Sequence, residues 1–180
     1  MPGTIWSGKL CVAALAALAV VVIAPAAATA QRRAAARAGM DAERLMMIPA
    51  RMKSSVERGT MAGAVMLVAR RGEVASLEAV GFQDVESKKP MRPDTIFDTR
   101  SVTNVTERPV HQGFGWGLSG DPLFDFPLTS KGSFGHNGAF GAIIWIDPQK
   151  QLIRIFLEHR LGFHNESNLF MAMAGSAVVD

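Results

Sequence analysis

The chain has 180 residues, no tyrosine and one cysteine, Cys11. Without a phenol, no proton transfer in this protein can pass through a tyrosine hydroxyl. Cys11 sits at the start of an apolar stretch near the amino end. Beyond it there is no thiol nucleophile, no cysteine metal ligand and no disulfide, so the fold must be held by burial. Metal-ligand spacing is lacking as well. His111, His136, His159 and His164 fit no pattern such as His-Glu-x-x-His, and Glu158-His159 is an isolated dipeptide. No motif calls for a cofactor. The formal charge is only +3, with basic residues gathered at Arg32, Arg33 and Arg37. No Lys/Arg stripe with interleaved aromatics follows, which argues against a nucleic-acid partner. There is no internal repeat.

What is present begins with a targeting pattern. Lys9 precedes an apolar run from Leu10 to Ile23, Pro25 breaks it, and Ala28-Thr29-Ala30 offers small residues for a signal peptidase. Residues 1–30 are therefore expected to be a signal peptide, with Gln31 opening the mature chain and an exported, periplasmic or secreted product. The run is short of the roughly 20 residues of a membrane span, so no stable span is expected after cleavage. Residues 31–40 read as a basic flexible segment. Residues 41–180 read as one domain of a size that buries about two-thirds of its unfolded surface.

Within that domain Leu45, Ile48, Met52 and Val56 recur at helical spacing, with Asp41 as cap and Gly59 as stop. Pro49 inside the pattern is a candidate kink. Gly63 to Ala69 is an unbroken run suited to a strand buried on both faces. Arg70-Arg71-Gly72-Glu73 is a turn, and Val74 to Gly81 returns as a second strand. Asp84 to Pro93 reads as a loop. Phe114, Trp116 and Leu118 alternate with glycines as a strand, with Trp116 and Trp145 expected to be buried. Ala139 to Ile146 and Leu152 to Glu158 read as further strands around the turn Asp147-Pro148-Gln149-Lys150. A last helix starts at Asn165 or Ser167 and turns Leu169, Phe170, Met173 and Ala177 to the sheet. The expected fold class is α+β: an antiparallel sheet of about five strands, with amino- and carboxyl-terminal helices packed together on one face.

Two short stretches carry chemistry. Phe97-Asp98-Thr99-Arg100-Ser101-Val102-Thr103-Asn104 and Gly132-Ser133-Phe134-Gly135-His136-Asn137-Gly138 resemble the two halves of the active site of β-lactamase-related serine hydrolases, the class C β-lactamase, penicillin-binding protein and esterase superfamily. Met61 to Thr103 resembles that family's first hairpin and nucleophile helix, and residues 113–180 resemble its last strands and helix. The family's helical region, which separates the two halves, is missing, and residues 105–112 read as the junction. The resemblance implies that Ser101 is the nucleophile and that His136 with Gly138 forms the strand triplet facing it; separately, an imidazole can take a proton near neutral pH, which makes His136 a candidate base. The resemblance further implies an oxyanion hole from the N–H groups of Ser101 and Ala139, with Asn137, Gly138 and Asn104 lining the substrate, an ester, amide or β-lactam.

Two departures bear on activity. Asn104 stands where the family has the lysine of Ser-x-x-Lys, and an amide cannot take a proton at neutral pH. The family's Tyr-x-Asn element has no counterpart. A serine hydroxyl without an adjacent base is a poor nucleophile, so the expected enzyme is weak or inactive. The same residues fit a non-catalytic secreted interaction module, or a gene remnant joining two true segments. Loss of the helical region would leave one sheet face uncovered, which implies self-association.

Overall fold

The computed structural model describes residues 26–97, 112–113, 116–120, 126–160 and 165–179. Three helices and eight strands follow one another: α1 (26–37), α2 (Ala42–Glu57), β1 (Gly63–Arg70), β2 (Glu73–Asp84), β3 (Lys89–Pro90), β4 (Gln112–Gly113), β5 (Trp116–Leu118), β6 (Phe134–Asn137), β7 (Ile143–Asp147), β8 (Leu152–Glu158) and α3 (Asn165–Ser176). The strands form one antiparallel sheet in the order β3-β2-β1-β8-β7-β6-β5-β4. The α+β layout expected from the sequence holds.

Local chemistry explains the elements. Asp41 caps α2 by accepting from the Glu43 and Arg44 N–H groups, and α2 buries Leu45, Ile48, Met52 and Ser55. The helix runs through Pro49. The β1–β2 hairpin closes on Arg71 and Gly72, both with positive φ (54° and 78°), as a two-residue loop requires. Register then sorts the sheet. Ala64, Met66 and Val68 of β1, Ile143 and Trp145 of β7, and Leu152 and Phe156 of β8 are buried in the core with the helices. The alternate residues Leu67, Leu77, Ile144, Ile146, Ile153, Ile155 and Leu157 occupy the other face.

The two ends of the domain are tied together. Met40 bridges Val178, and the Asp41 N–H donates to the Ala177 carbonyl at 2.7 Å. Arg70, 3% exposed, donates from Nη1 to the carbonyls of Gly39 (2.5 Å) and Val179 (3.1 Å), and from Nε to Lys150 O at 2.9 Å. A guanidinium has enough donors in one plane to span three segments at once.

Four expectations need correction. Residues 31–37, read as part of a flexible segment, continue a helix that begins by residue 26. Ala35 and Ala38 are fully buried, Gln31 Nε2 donates to Glu78 Oε1 at 2.7 Å, and Arg37 pairs with Glu73. The alanines give the helix a face small enough to lie against β2, and its arginines pair outward; the cut expected before Gln31 falls within this helix. Among the described residues the sheet numbers eight strands, extending the roughly five expected. Lys89-Pro90 pairs with β2 inside the expected loop, and the glycines of residues 132–138 hide the alternation of β6. Residues 139–142 are turn and extended chain, so β7 starts at Ile143 rather than Ala139. Trp116 is 36% exposed, on the face away from the helices, where it meets Phe134 edge-on at 5.5 Å; Trp145 alone is buried.

Candidate active site

Strand β6 presents His136 on the face away from the helices, across from Ile144. Its neighbour Gly135 must be a glycine. A Cβ there would lie 2.2 Å from the Ile144 carbonyl oxygen and 2.2 Å from Trp145 Cε3. The bare glycine lets Trp145 lie flat beneath β6, and this fixes the height of His136 above the sheet. After Asn137 the chain turns: the Gly138 N–H donates to Ala142 O (2.6 Å) and the Gly141 N–H to Gly138 O (3.1 Å). The Ala139 N–H donates to no acceptor among the described residues. A pocket of about 400 Å³ opens beside this turn, lined by His136, Gly138, Ala142, Ile143, Ile144, Ile155 and Leu157. Its walls are aliphatic, with one imidazole among them.

The structure thus brings His136 and Gly138 together at one pocket, with Ala139 next along the same turn. It does not bring Asn137 to it. By strand alternation Asn137 points to the helix side, opposite Ile143, and both its amide atoms are buried without a partner among the described residues. Asn137, expected to line the substrate, thus turns its side chain to the helix side of β6. Ser101 and Asn104 lie outside the described residues.

Sequence reading missed three buried ionisable groups on the helix side. Asp147, fully buried, accepts from the N–H groups of Ser130 (2.9 Å) and Lys150 (3.1 Å). Burial pushes its carboxyl up, but these hydrogen bonds outweigh that and hold it below the usual carboxylate value. Arg154 is fully buried, and burial lowers it to about 10 against the opposing pull of Asp147. Glu158 is 1% exposed with neither oxygen hydrogen-bonded among the described residues. Burial raises it to about 7, helped by Glu166 and opposed by Arg160. The signal was available, since Arg154 and Glu158 fall in phase with Leu152 and Phe156 on the buried side of β8. No group of three or more His, Cys, Asp or Glu that could hold a metal gathers among the described residues. No described helix is long and apolar enough to cross a membrane.

Comparison with known proteins adds to this geometry. Residues 33–106 match the family model described as Beta-lactamase. Over that span the chain is similar to the β-lactamase-type serine hydrolases. The matched span takes in the end of α1, all of α2, the first hairpin and Ser101. The chain is also similar to Esterase EstB of Burkholderia gladioli, 49% identical over 43 residues. That match covers 24% of this chain and 11% of the relative's length.

Proposed function

We propose that this β-lactamase-related chain is a secreted acyl-transfer hydrolase of residual activity, acting on esters, amides or β-lactams. Ser101 is the attacking hydroxyl, and the His136–Gly138 strand end is the opposing wall. The observation that carries this reading is the conjunction at the end of β6: an imidazole and an aliphatic pocket lie beside the turn that holds the Ala139 N–H, which has no acceptor among the described residues. An N–H aimed at the place where carbonyl charge develops is worth about 100- to 1000-fold in turnover. His136 is the base available to Ser101, because Asn104 cannot serve and the chain has no tyrosine. The expected result is slow but specific labelling of the full chain by a fluorophosphonate probe, abolished by Ser101→Ala and strongly reduced by His136→Gln. Equal labelling of wild type and Ser101→Ala sinks the reading.

One observation favours a second reading, a non-catalytic interaction module. Leu77, Leu118, Trp116 and Ile153 are 36–45% exposed on the sheet face away from the helices. Apolar faces of that kind mark interfaces. Self-association follows, and sedimentation velocity is expected to show dimers or larger species. The pair Leu77→Asp and Ile153→Asp is expected to return the chain to monomer without changing its circular dichroism. A wild type that stays monomeric at high concentration counts against the module.

A further inference from the structure

The turn that carries Ala139 is not self-supporting. Three contacts hold it against residues 158–160, at the end of β8. The Arg160 N–H donates to the Phe140 carbonyl at 3.0 Å. The His159 ring stacks on Phe140 at 5.1 Å and 13°. Gly141, at φ +85°, rests on the Glu158 side chain so closely that a Cβ would lie 2.6 Å from its Cγ and 2.9 Å from Oε1. The first two contacts are of ordinary type. The third sets a carboxyl, 1% exposed and without a hydrogen-bond partner among the described residues, directly against the turn.

We propose that Glu158 is a proton-operated latch beneath the 138–141 turn: its neutral acid supports the turn, and its ionised form releases it. A neutral carboxyl is close to an amide in bulk and tolerates an apolar setting. A carboxylate there has no donor among the described residues to offset its lost hydration and must draw in water or move. The charges around it do not relieve this. Glu166 reaches it from α3 with the same sign, and Arg160 opposes from the strand end with its guanidinium on the Thr60 carbonyl. Ala64 of β1, across from it, brings no charge, and neither do Phe140 and Gly141. His159 faces Phe140.

The sign follows from the direction of the shift. The folded state holds the Glu158 proton more tightly than the unfolded chain, whose carboxyl has the ordinary value of 4.5. Support is full below that value and is lost as pH climbs through about 7. Because Ala139 lies within the turn, the latch regulates the oxyanion donor of the site proposed above. Only this consequence rests on that reading; the latch itself does not.

The test needs no substrate. In the ¹⁵N-labelled full chain, amide exchange at Gly141 and Arg160 reports the two hydrogen bonds that close the turn on itself and on β8. After correction for the intrinsic rate, protection at both is expected to fall about tenfold or more between acidic and mildly alkaline pH. Phe82, whose N–H bonds Ala62 O elsewhere in the sheet, is expected to keep its protection. Glu158→Gln is expected to remove the pH response at Gly141 and Arg160. Retention of that response in Glu158→Gln overturns the latch, as does an equal fall at Phe82. Should the variant not fold, the wild-type Glu158 carboxyl resonance decides: titration near 7 supports the latch, and titration near 4.5 overturns it.

Discussion

Gly135→Ala is expected to destabilise the chain by about 3 kcal/mol or more, at the upper end of what overpacking costs. The added methyl has nowhere to go. It would stand 2.2 Å from a backbone oxygen, that of Ile144, and 2.2 Å from the Trp145 ring. Trp145 is itself pinned, fully buried and edge-on to Phe126 at 5.0 Å. Either β6 separates from β7 or the indole leaves its slot, and both displace His136. In a chain of this size the change corresponds to a fall in Tm of roughly 6–12 °C. Gly132→Ala is the control. No atom lies within 4 Å of its would-be Cβ, but its φ is +86°, so it suffers backbone strain alone, about 1 kcal/mol. A double variant, Gly135→Ala with Trp145→Leu, recovers only part of the loss, because the Ile144 carbonyl stays in place. Thermal unfolding followed by circular dichroism separates the three, and an unchanged Tm for Gly135→Ala contradicts the account.

Arg154 supports a second contrast. Arg154→Ala is expected to cost about 3–5 kcal/mol, while Arg154→Met costs less than about 1.5 kcal/mol. The guanidinium is fully buried, and its Nη1 donates to the carbonyls of Met171 (2.7 Å) and Pro127 (3.3 Å), joining α3 to the loop before β6. Gly175 leaves the room it needs, its would-be Cβ lying 3.2 Å from Nη1. Nε and Nη2 have no partner among the described residues, so much of the charge is desolvated without return. Alanine removes the donor and leaves a cavity. Methionine also removes the donor but fills the space, and it relieves the buried charge. Urea unfolding measures both. Equal losses for the two would show that the hydrogen bonds, not the volume, set the cost.

The sequence made the hairpin, α2, β8 and α3 legible because each is written in a repeating pattern with its own stop signal. Asp41 and Gly59 bracket α2, and Arg71-Gly72 marks the β1–β2 turn. Strand β6 was legible only through its motif. Its alternation is broken by Gly135, whose emptiness serves Trp145 ten residues later, and no local pattern announces such a contact. Helix α1 was misjudged for a related reason: clustered arginines beside alanines read as a solvated tail until β2 supplies Glu73 and Glu78. Asn137 illustrates the limit at the site. Its place next to His136 suggested a shared pocket, yet adjacent residues of a strand face opposite ways. Glu158 was visible as an acid in phase with the buried side of its strand, but its lack of a partner is a property of the packed molecule.

The centre of the sheet has a consequence for how the chain is made. β1 pairs with β8 from Ala64↔Glu158 to Arg70↔Leu152, so its inner neighbour is synthesised 82 to 94 residues after it. During translation the amino-terminal hairpin emerges with a long, apolar, hydrogen-bond-hungry edge and no mate. Contacts so distant along the chain slow folding, and an open edge invites pairing with other nascent chains. The polypeptide therefore depends on being held apart from its siblings, by a chaperone or by dilution, until its last strand has left the ribosome.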